Sequence, residues 1–390
     1  MLRFASAGES HGKGLVGILE GLPFGLEVDT DFINLQLHRR QLGYGRGGRM
    51  RIEQDRIEII SGVRHGRTLG SPISFLIANR DWVNWQTAMS AEAVPDAAEI
   101  RALTRPRPGH VDLAGALKYQ THDVRDVLER ASARETAARV AAGALCSLLL
   151  RKFGISLGSH VLAIAAEWVS SEHQEPELSR VLQIDPESDL RCCDPGAEQR
   201  MRQAIDSARR AGDSLGGVLE VVAGGVPPGL GSHTQWDRRL DGLIAQALMS
   251  IPAAKAVEIG RGVSCSEMPG SEVHDEIYFE EQKRRFFRRT NRAGGVEGGI
   301  SNGADIRVRV YMKPIPTLKK RLRSVDLVSK EAVEASYERS DICVVPAAAA
   351  VAEAMLGIVL AQAFQEKFGG DSVAEQERNF RGYMRALDEF

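Results

Sequence analysis

No two cysteines in this 390-residue chain are spaced as C-x-x-C. The five present (Cys146, Cys192, Cys193, Cys265 and Cys343) are too few and too scattered for a disulfide framework. A reduced compartment, the cytoplasm, is expected. No His, Cys, Asp or Glu cluster has zinc-ligand spacing, so no protein-bound metal is expected either. The opening stretch "MLRFASAGESHG" lacks the apolar segment of a secretory signal, and no uninterrupted apolar run reaches about 18–20 residues, which argues against a membrane span. An excess of charge is also missing. Lys plus Arg number 50 against 52 Asp plus Glu, a net charge of −2, so no global field draws in nucleic acid. What remains, 43% hydrophobic and 26% charged, is the composition of a globular protein with a sizeable core.

The chain does contain itself twice. "GESHGKGLVGILEGLPFGL" (8–26) lines up with "GDSLGGVLEVVAGGVPPGL" (212–230), and "GVRHGRTLGSPI" (62–73) with "GVEGGISNGADI" (295–306). "RPRPGH" (105–110) matches "KPIPTL" (313–318), and "ERASARETAARVAAGAL" (129–145) matches "ERSDICVVPAAAAVAEAML" (338–356). Both closing stretches run to "KFG". The spacing therefore predicts two halves, about 1–154 and 212–370, in one domain spanning 1–390. A variable linking segment (155–211), rich in acids, Pro and Ser, reads as surface loops, and 371–390 as a polar tail.

Each half opens on a strand-like run, "LVGILEGLP" and "VLEVVAGGVPP", bounded by glycine and proline. Each closes on a long helix. The first is expected near 123–153, with Asp123 as N-cap, a Glu135–Arg139 pair and a stop at Gly154. The second is expected to start at Pro346 and end before Gly369. Alanine crowds both (Ala137, Ala138, Ala141, Ala142; 347–350), which suits a close-packed helical layer. The expectation is an α+β body with pseudo-twofold halves, its helical layer sandwiched between antiparallel sheets.

Ser10 and His11 sit in "GESHG", formally the G-x-S-x-G of a hydrolase nucleophile elbow, running into "GKGLVG", formally a dinucleotide fingerprint. Both motifs need a helix directly after the glycines, and here a strand follows. The second copy keeps the serine (Ser214) but carries Leu215 where His11 stands, and Leu318 where His110 stands. A lone loop histidine is usually just satisfied in place; two exchanges of one kind in one half point to a shared site. Imidazole titrates near neutrality, and a neighbouring anion favours its acid form. At the entry to the closing helices Ser132 faces Asp341 in the alignment. Asp341 reads either as a helix-entry acid or as a carboxylate base beside Arg339.

"HRRQLGYGRGGRMRIE" (38–53) gathers Arg39, Arg40, Arg46, Arg49 and Arg51 among glycines. Guanidinium groups match phosphate and carboxylate oxygens bidentately. A Gly-Arg RNA-binding reading is weaker, because the run lies inside a folded repeat of a slightly acidic chain. "NRAGGVEGGISNG" (291–303) is a second glycine-rich loop that permits close backbone approach to an anion or flat ring. Unaided, the residues imply a lyase or transferase handling a small polyanion, with two imidazoles, a carboxylate and room for a phosphorylated cofactor.

These motifs, with "SGVRHGRTLGSPI", "RPGHVDLAGALKY" and "ERSDICVVPAAAAVAEAM", resemble in order, from residue 4 to about 370, the chorismate synthase family. The resemblance implies a 1,4-anti elimination of phosphate from 5-enolpyruvylshikimate 3-phosphate to give chorismate, a lyase step of the shikimate pathway. It also implies reduced FMN without net redox change, and a homotetramer. By position, His11 protonates the leaving phosphate, His110 serves the reduced flavin, Asp341 is the base, and Ser10 and Ser132 line the site. Flavin contacts would fall on Arg130, Ala131 and Ser132, on Pro252 and Ala253, and on Gly298 and Gly299. Further contacts would come from Lys313, Pro314, Ile315, Pro316 and Thr317, and from Arg339. Arg40 and Arg46 match positions for a nicotinamide nucleotide such as NADPH, and Arg49 and Arg134 match substrate-anion contacts. Pro252 and Ala256 depart from the family's usual polar residue and glycine. No reductase segment is evident, which implies an external flavin reductase.

Overall fold

In the computed structural model, residues 2–47, 53–94, 102–282, 284–338 and 341–390 are described. Strands β1 (Arg3–Ala7), β2 (Gly14–Glu20), β3 (Glu58–Ile59) and β4 (Ile73–Ala78) form an antiparallel sheet in the order β1-β2-β4-β3. Leu15, Leu19, Ile73, Phe75 and Ile77 point inward and are fully buried, while Val16 and Ile18 between them face out. That alternation marks a sheet covered on one side only. A second sheet joins β5 (Ser156–Ile164), β6 (Glu167–Trp168), β7 (Gly217–Gly224), β8 (Ala254–Ile259) and β9 (Ile306–Met312) in the order β8-β9-β7-β5-β6, again antiparallel. Its central strands are covered on both faces: Val161, Leu162, Ala163 and Ile164 have no exposure.

The longer helices are α1 (Thr30–Gln41), α2 (Asp112–Tyr119), α3 (Arg125–Ala131), α4 (Thr136–Lys152), α5 (Pro195–Ala211), α6 (Leu240–Met249), α7 (Val345–Phe368) and α8 (Val373–Glu389). Helices α4 and α7 pack on each other. Helix α4 lies against β1 and β2, and α7 against β5 and β7, so a helical layer separates the two sheets. The alanines are what let the axes come close. A Cβ on Gly143 would stand 2.4 Å from Cα and Cβ of Ala354 and 2.5 Å from its carbonyl oxygen, a backbone contact that no rotamer relieves. Gly143→Ala should therefore cost about 1–3 kcal/mol in urea unfolding, opposite in sign to the gain that helix propensity alone would give. Equal or higher stability would show that the helices can separate freely.

Helix α7 is 24 residues long and apolar enough to cross a membrane, but most of it is buried inside the sandwich. Its one mid-helix acid, Glu353, is paired with Arg39 at 2.6 Å and Arg191 at 3.3 Å. Pro346 stands in its first turn and Gly369, at φ 55°, follows its end, where the sequence placed them.

Two expectations are corrected. The helix expected over 123–153 is broken at Ser132, which is extended (φ −63°, ψ 141°), its Oγ accepting the Arg134 N–H at 3.3 Å. Serine competes with a helix in just this way. Asp123 does serve the start of α3, accepting the Arg125 N–H at 2.9 Å. Residues 155–211 are not surface loops: they supply β5, beside β7 in the second sheet, and α5, capped by Asp194. The polar tail folds as α8, its Phe380 and Tyr383 rings on Phe368.

Candidate active site

Ser10 and His11 lie in the turn between β1 and β2. A strand follows, so the turn is neither a nucleophile elbow nor a dinucleotide loop. Gly8 makes the turn possible at φ 114°, where a Cβ would stand 2.3 Å from the Gly14 carbonyl oxygen. The Asn79 side-chain nitrogen reaches the carbonyls of Glu9, Ser10 and Gly12 at 2.8–3.2 Å, and its oxygen accepts from Arg134 Nε at 2.8 Å. The Ser10 N–H donates to the Glu129 carbonyl at 3.0 Å, and Ser10 Oγ donates to Ser132 Oγ at 3.1 Å. The break in the helix thus sets Ser132 against the turn.

The His11 ring stacks on Trp85, centroids 3.9 Å apart at 23°, and the Arg125 guanidinium lies 5.0 Å from the Trp85 ring. Nδ1 of His11 meets Glu129 Oε1 at 2.8 Å, and Glu129 Oε2 accepts the His11 backbone N–H at 2.8 Å. Arg125 donates to Glu129 at 3.0 Å. Burial alone would raise the Glu129 carboxyl; the bonds from His11 and the charge of Arg125 outweigh it and hold the group below the usual carboxylate range.

His110 is built the same way from other elements. Its Nδ1 bonds to Oδ1 of Asp112, at the start of α2. Arg107 grips Asp112 through Nε at 2.8 Å and Nη2 at 3.0 Å, and donates to Thr317 at 3.0 Å. Despite burial, the His110 and Arg107 bonds pull Asp112 well below the ordinary range. Lys313 Nζ donates to the Gly109 carbonyl, and the Lys313 N–H to that of Ala253 at 2.9 Å. Ile315 accepts from Ser214 Oγ at 2.7 Å. The structure therefore brings His110, residues 313–317 and Pro252–Ala253 together. Gly298 and Gly299 stand apart from them: Gly299 accepts the Leu240 N–H at the start of α6, while Pro252 follows its end, about 15 Å of helix away.

A cleft of about 400 Å³ between α2 and α3 is lined by Val111, Gly115, Lys118, Tyr119, Arg130 and Ala131, the chain neighbours of both His110 and Ser132 among them. Arg130 itself braces the end of β1 through Ser6 and Gly8. Asp341 accepts from Arg46 at 2.5 Å and from the Gly47 N–H at 2.6 Å. It is no cap of α7, which starts at Val345 without a side-chain cap. Arg49 and Arg339 lie outside the described residues. The side chains of Arg40 and Arg134 are 4% and 2% exposed, and both grip Asp55. Burial, with Arg134 and Arg46 nearby, lowers Arg40 although Asp55 opposes it.

Sequence reasoning missed Glu129, Asp112, Trp85 and Asn79. Only Arg125–Glu129, an i,i+4 pair, and Asp112, two residues past His110, left any local signal.

Two carboxylate-held imidazoles set among arginines are the groups that an enzyme moving protons on an anionic substrate would use. The profile of the chorismate synthase family matches residues 2–365. The chain is 52% identical to the chorismate synthase of Geobacter sulfurreducens over the whole of both chains. To that of Aquifex aeolicus it is 54% identical, covering 100% of this chain and 99% of the other. A crystal structure of chorismate synthase matches with a TM-score of 0.80 at 45% identity, over 100% of this chain and 99% of that one. The chain belongs to the chorismate synthase family. Its reaction is the elimination of phosphate from 5-enolpyruvylshikimate 3-phosphate to give chorismate, a lyase step in aromatic amino acid biosynthesis. Family members generally need a reduced flavin.

Proposed function

We propose that His11 is the acid that protonates the departing phosphate, His110 the acid facing the flavin, and Asp341 the base for the substrate proton, with Ser10 and Ser132 lining the site. The observation that carries this is the pair of arginine-gripped carboxylates behind the two rings. The donor set beside His110 fits reduced FMN: the Lys313 ammonium and the Thr317 hydroxyl suit a phosphate, and the left-handed Ala253 (φ 71°) turns its carbonyl to the Lys313 N–H. When bound, the reduced flavin supplies electron density to the allylic centre and recovers it. Residues 313–317, Pro252, Ala253, Arg130 and Ala131 would hold it, with Gly298, Gly299 and Arg339 as further contacts. Arg46, paired with Asp341, and the more buried Arg40 would be the contacts for an NADPH phosphate. Arg49 and Arg134 would serve the substrate's anions, Arg134 indirectly through Asn79.

The same reading makes the chain a homotetramer of the cytoplasm, supplied by an external flavin reductase. It also makes residues 1–390 one domain of two duplicated halves. In support, the turn at Ser10 and the turn at Leu215 are each tied by a backbone N–H to the segment leading into a long helix, to Glu129 and to Ile342.

The test is anaerobic turnover with dithionite-reduced FMN. Chorismate and phosphate should form in equal amounts, with the flavin required but not consumed. Equal activity with and without flavin would overturn the reading.

A further inference from the structure

We infer that Glu129 and Asp112 are positioning residues that hold Nδ1 of His11 and of His110, so that each ring presents Nε2 as the atom that gives up its proton. This rests on the reading of the two histidines as acids. Ionised, a carboxylate only accepts, so the hydrogen shared with Nδ1 must sit on nitrogen. Both carboxylates are kept in that state inside the protein: the Glu129 side chain is 2% exposed and that of Asp112 has no exposure. Each is held by an arginine, Arg125 at 3.0 Å and Arg107 at 2.8 Å. Without the guanidinium, a buried carboxylate and a neighbouring imidazole would share one proton, and the acid's proton could drain into the carboxyl group.

A neutral imidazole carries one N–H, and a bond at one nitrogen decides which. With Nδ1 committed to Glu129, the neutral His11 has a bare Nε2 and the protonated ring an Nε2–H. Trp85 fixes the remaining freedom, rotation of the ring about its bond to Glu129, by stacking at 3.9 Å. At His110 Arg107 Nη2 also lies 3.1 Å from Nδ1, and because a guanidinium only donates, this contact competes with the Asp112 bond for Nδ1; the Nδ1–H tautomer requires that Asp112 holds the ring and that Arg107 spends Nη2 on Asp112 Oδ1, 3.0 Å away. The same arginine–carboxylate–imidazole order is also found at His160, where Arg307 and Arg309 grip Glu220, but that ring has no exposure and bonds through Nε2, whereas His11 and His110 bond through Nδ1 and keep 13% and 18% side-chain exposure. The two partly exposed arrangements come from unrelated local sequence. One case is a helical i,i+4 pair reaching a turn 118 residues back, the other a single loop entering α2. His160, fully buried and with Nε2 committed to Glu220, has no exposed atom to offer a substrate, whereas His11 and His110, held through Nδ1, leave Nε2 uncommitted to their carboxylates.

The test is nitrogen NMR on substrate-free protein labelled in its histidine rings, followed up the pH scale until the ring signals stop changing, with signals assigned from His11→Leu and His110→Leu spectra. Both rings should carry the proton on Nδ1 with Nε2 bare. A ring found as the Nε2–H tautomer overturns the assignment for that residue. Glu129→Gln keeps size but can offer either an oxygen or an NH2, so His11 should become a mixture of tautomers. Its kcat should fall by about 10²-fold or more with KM within about 3-fold. A Gln variant that folds and keeps wild-type kcat overturns the inference. If it does not fold, the wild-type spectrum alone decides. Should the tautomers be as stated while His11→Leu retains full turnover, the acid role of His11 fails and the placement of its proton stands.

Discussion

His11→Leu should lose about 10²–10⁴ in kcat, the contribution typical of a positioned general acid. It should give up no more than about 2 kcal/mol of stability. Leucine fits the space, since Trp85 offers an apolar ring face and the His11 side chain is only 13% exposed. Glu129 is not orphaned either, for Arg125 at 3.0 Å and the residue-11 backbone N–H at 2.8 Å remain. Leucine is also the residue the second "GxSxG" segment uses, at Leu215. Anaerobic turnover with reduced FMN and urea unfolding on the same preparation separate the two quantities. Full turnover in a folded variant would remove His11 from the chemistry. Loss of fold and activity together would make the ring structural.

That histidine could be found in the sequence because an exchange between two similar segments exposed it. Its setting could not. Glu129 and Trp85 are far along the chain, and only closure of the β1–β2 turn onto α3 and the Trp85 segment brings the three together. The main elements were legible where local chemistry decides them: glycine- and proline-bounded apolar runs gave β2 and β7, Pro346 and Gly369 bracketed α7, and alanine foretold the close approach at Gly143. Composition misled at 155–211. Strand β5 there carries Ser159 and His160, polar residues with no exposure. Ser159 donates to Glu353, and His160 meets Glu220 at 3.1 Å. No local pattern contains those partners, so a buried strand read as loop. The arginines show the same limit. A run of guanidinium groups marks anion chemistry, but whether the anion is a ligand or Asp55 depends on folding.

Asp55→Asn should cost about 3–5 kcal/mol at neutral pH, the largest stability loss expected from removing a single charge here. Asp55 stands between two cations, accepting from Arg40 at 2.8 Å and Arg134 at 2.5 Å, with no exposure of its own side chain. Glu53, 3.8 Å from Arg134, is the second anion of this cluster. Asparagine keeps the shape but leaves two buried guanidinium groups against one carboxylate. Burial would raise the Asp55 carboxyl, but Arg40 and Arg134 more than reverse it, so its folded pKa lies below its unfolded one. The stability it contributes is therefore fully present above the ordinary carboxylate range, near pH 4, and is lost as pH falls toward the folded value. Wild-type stability should drop steeply on acidification. The Asn variant should start lower and fall less, its remaining slope coming from the other lowered carboxyls, Glu353, Glu220, Glu129 and Asp112 among them. The effect should reach the active site, since Arg134 also holds Asn79, and Asn79 holds the turn that carries His11. Urea unfolding at several pH values between 3 and 7 checks this. A variant within about 1 kcal/mol of wild type at neutral pH, with the same acid slope, would mean that the two arginines find other partners and that Asp55 does not organise the cluster.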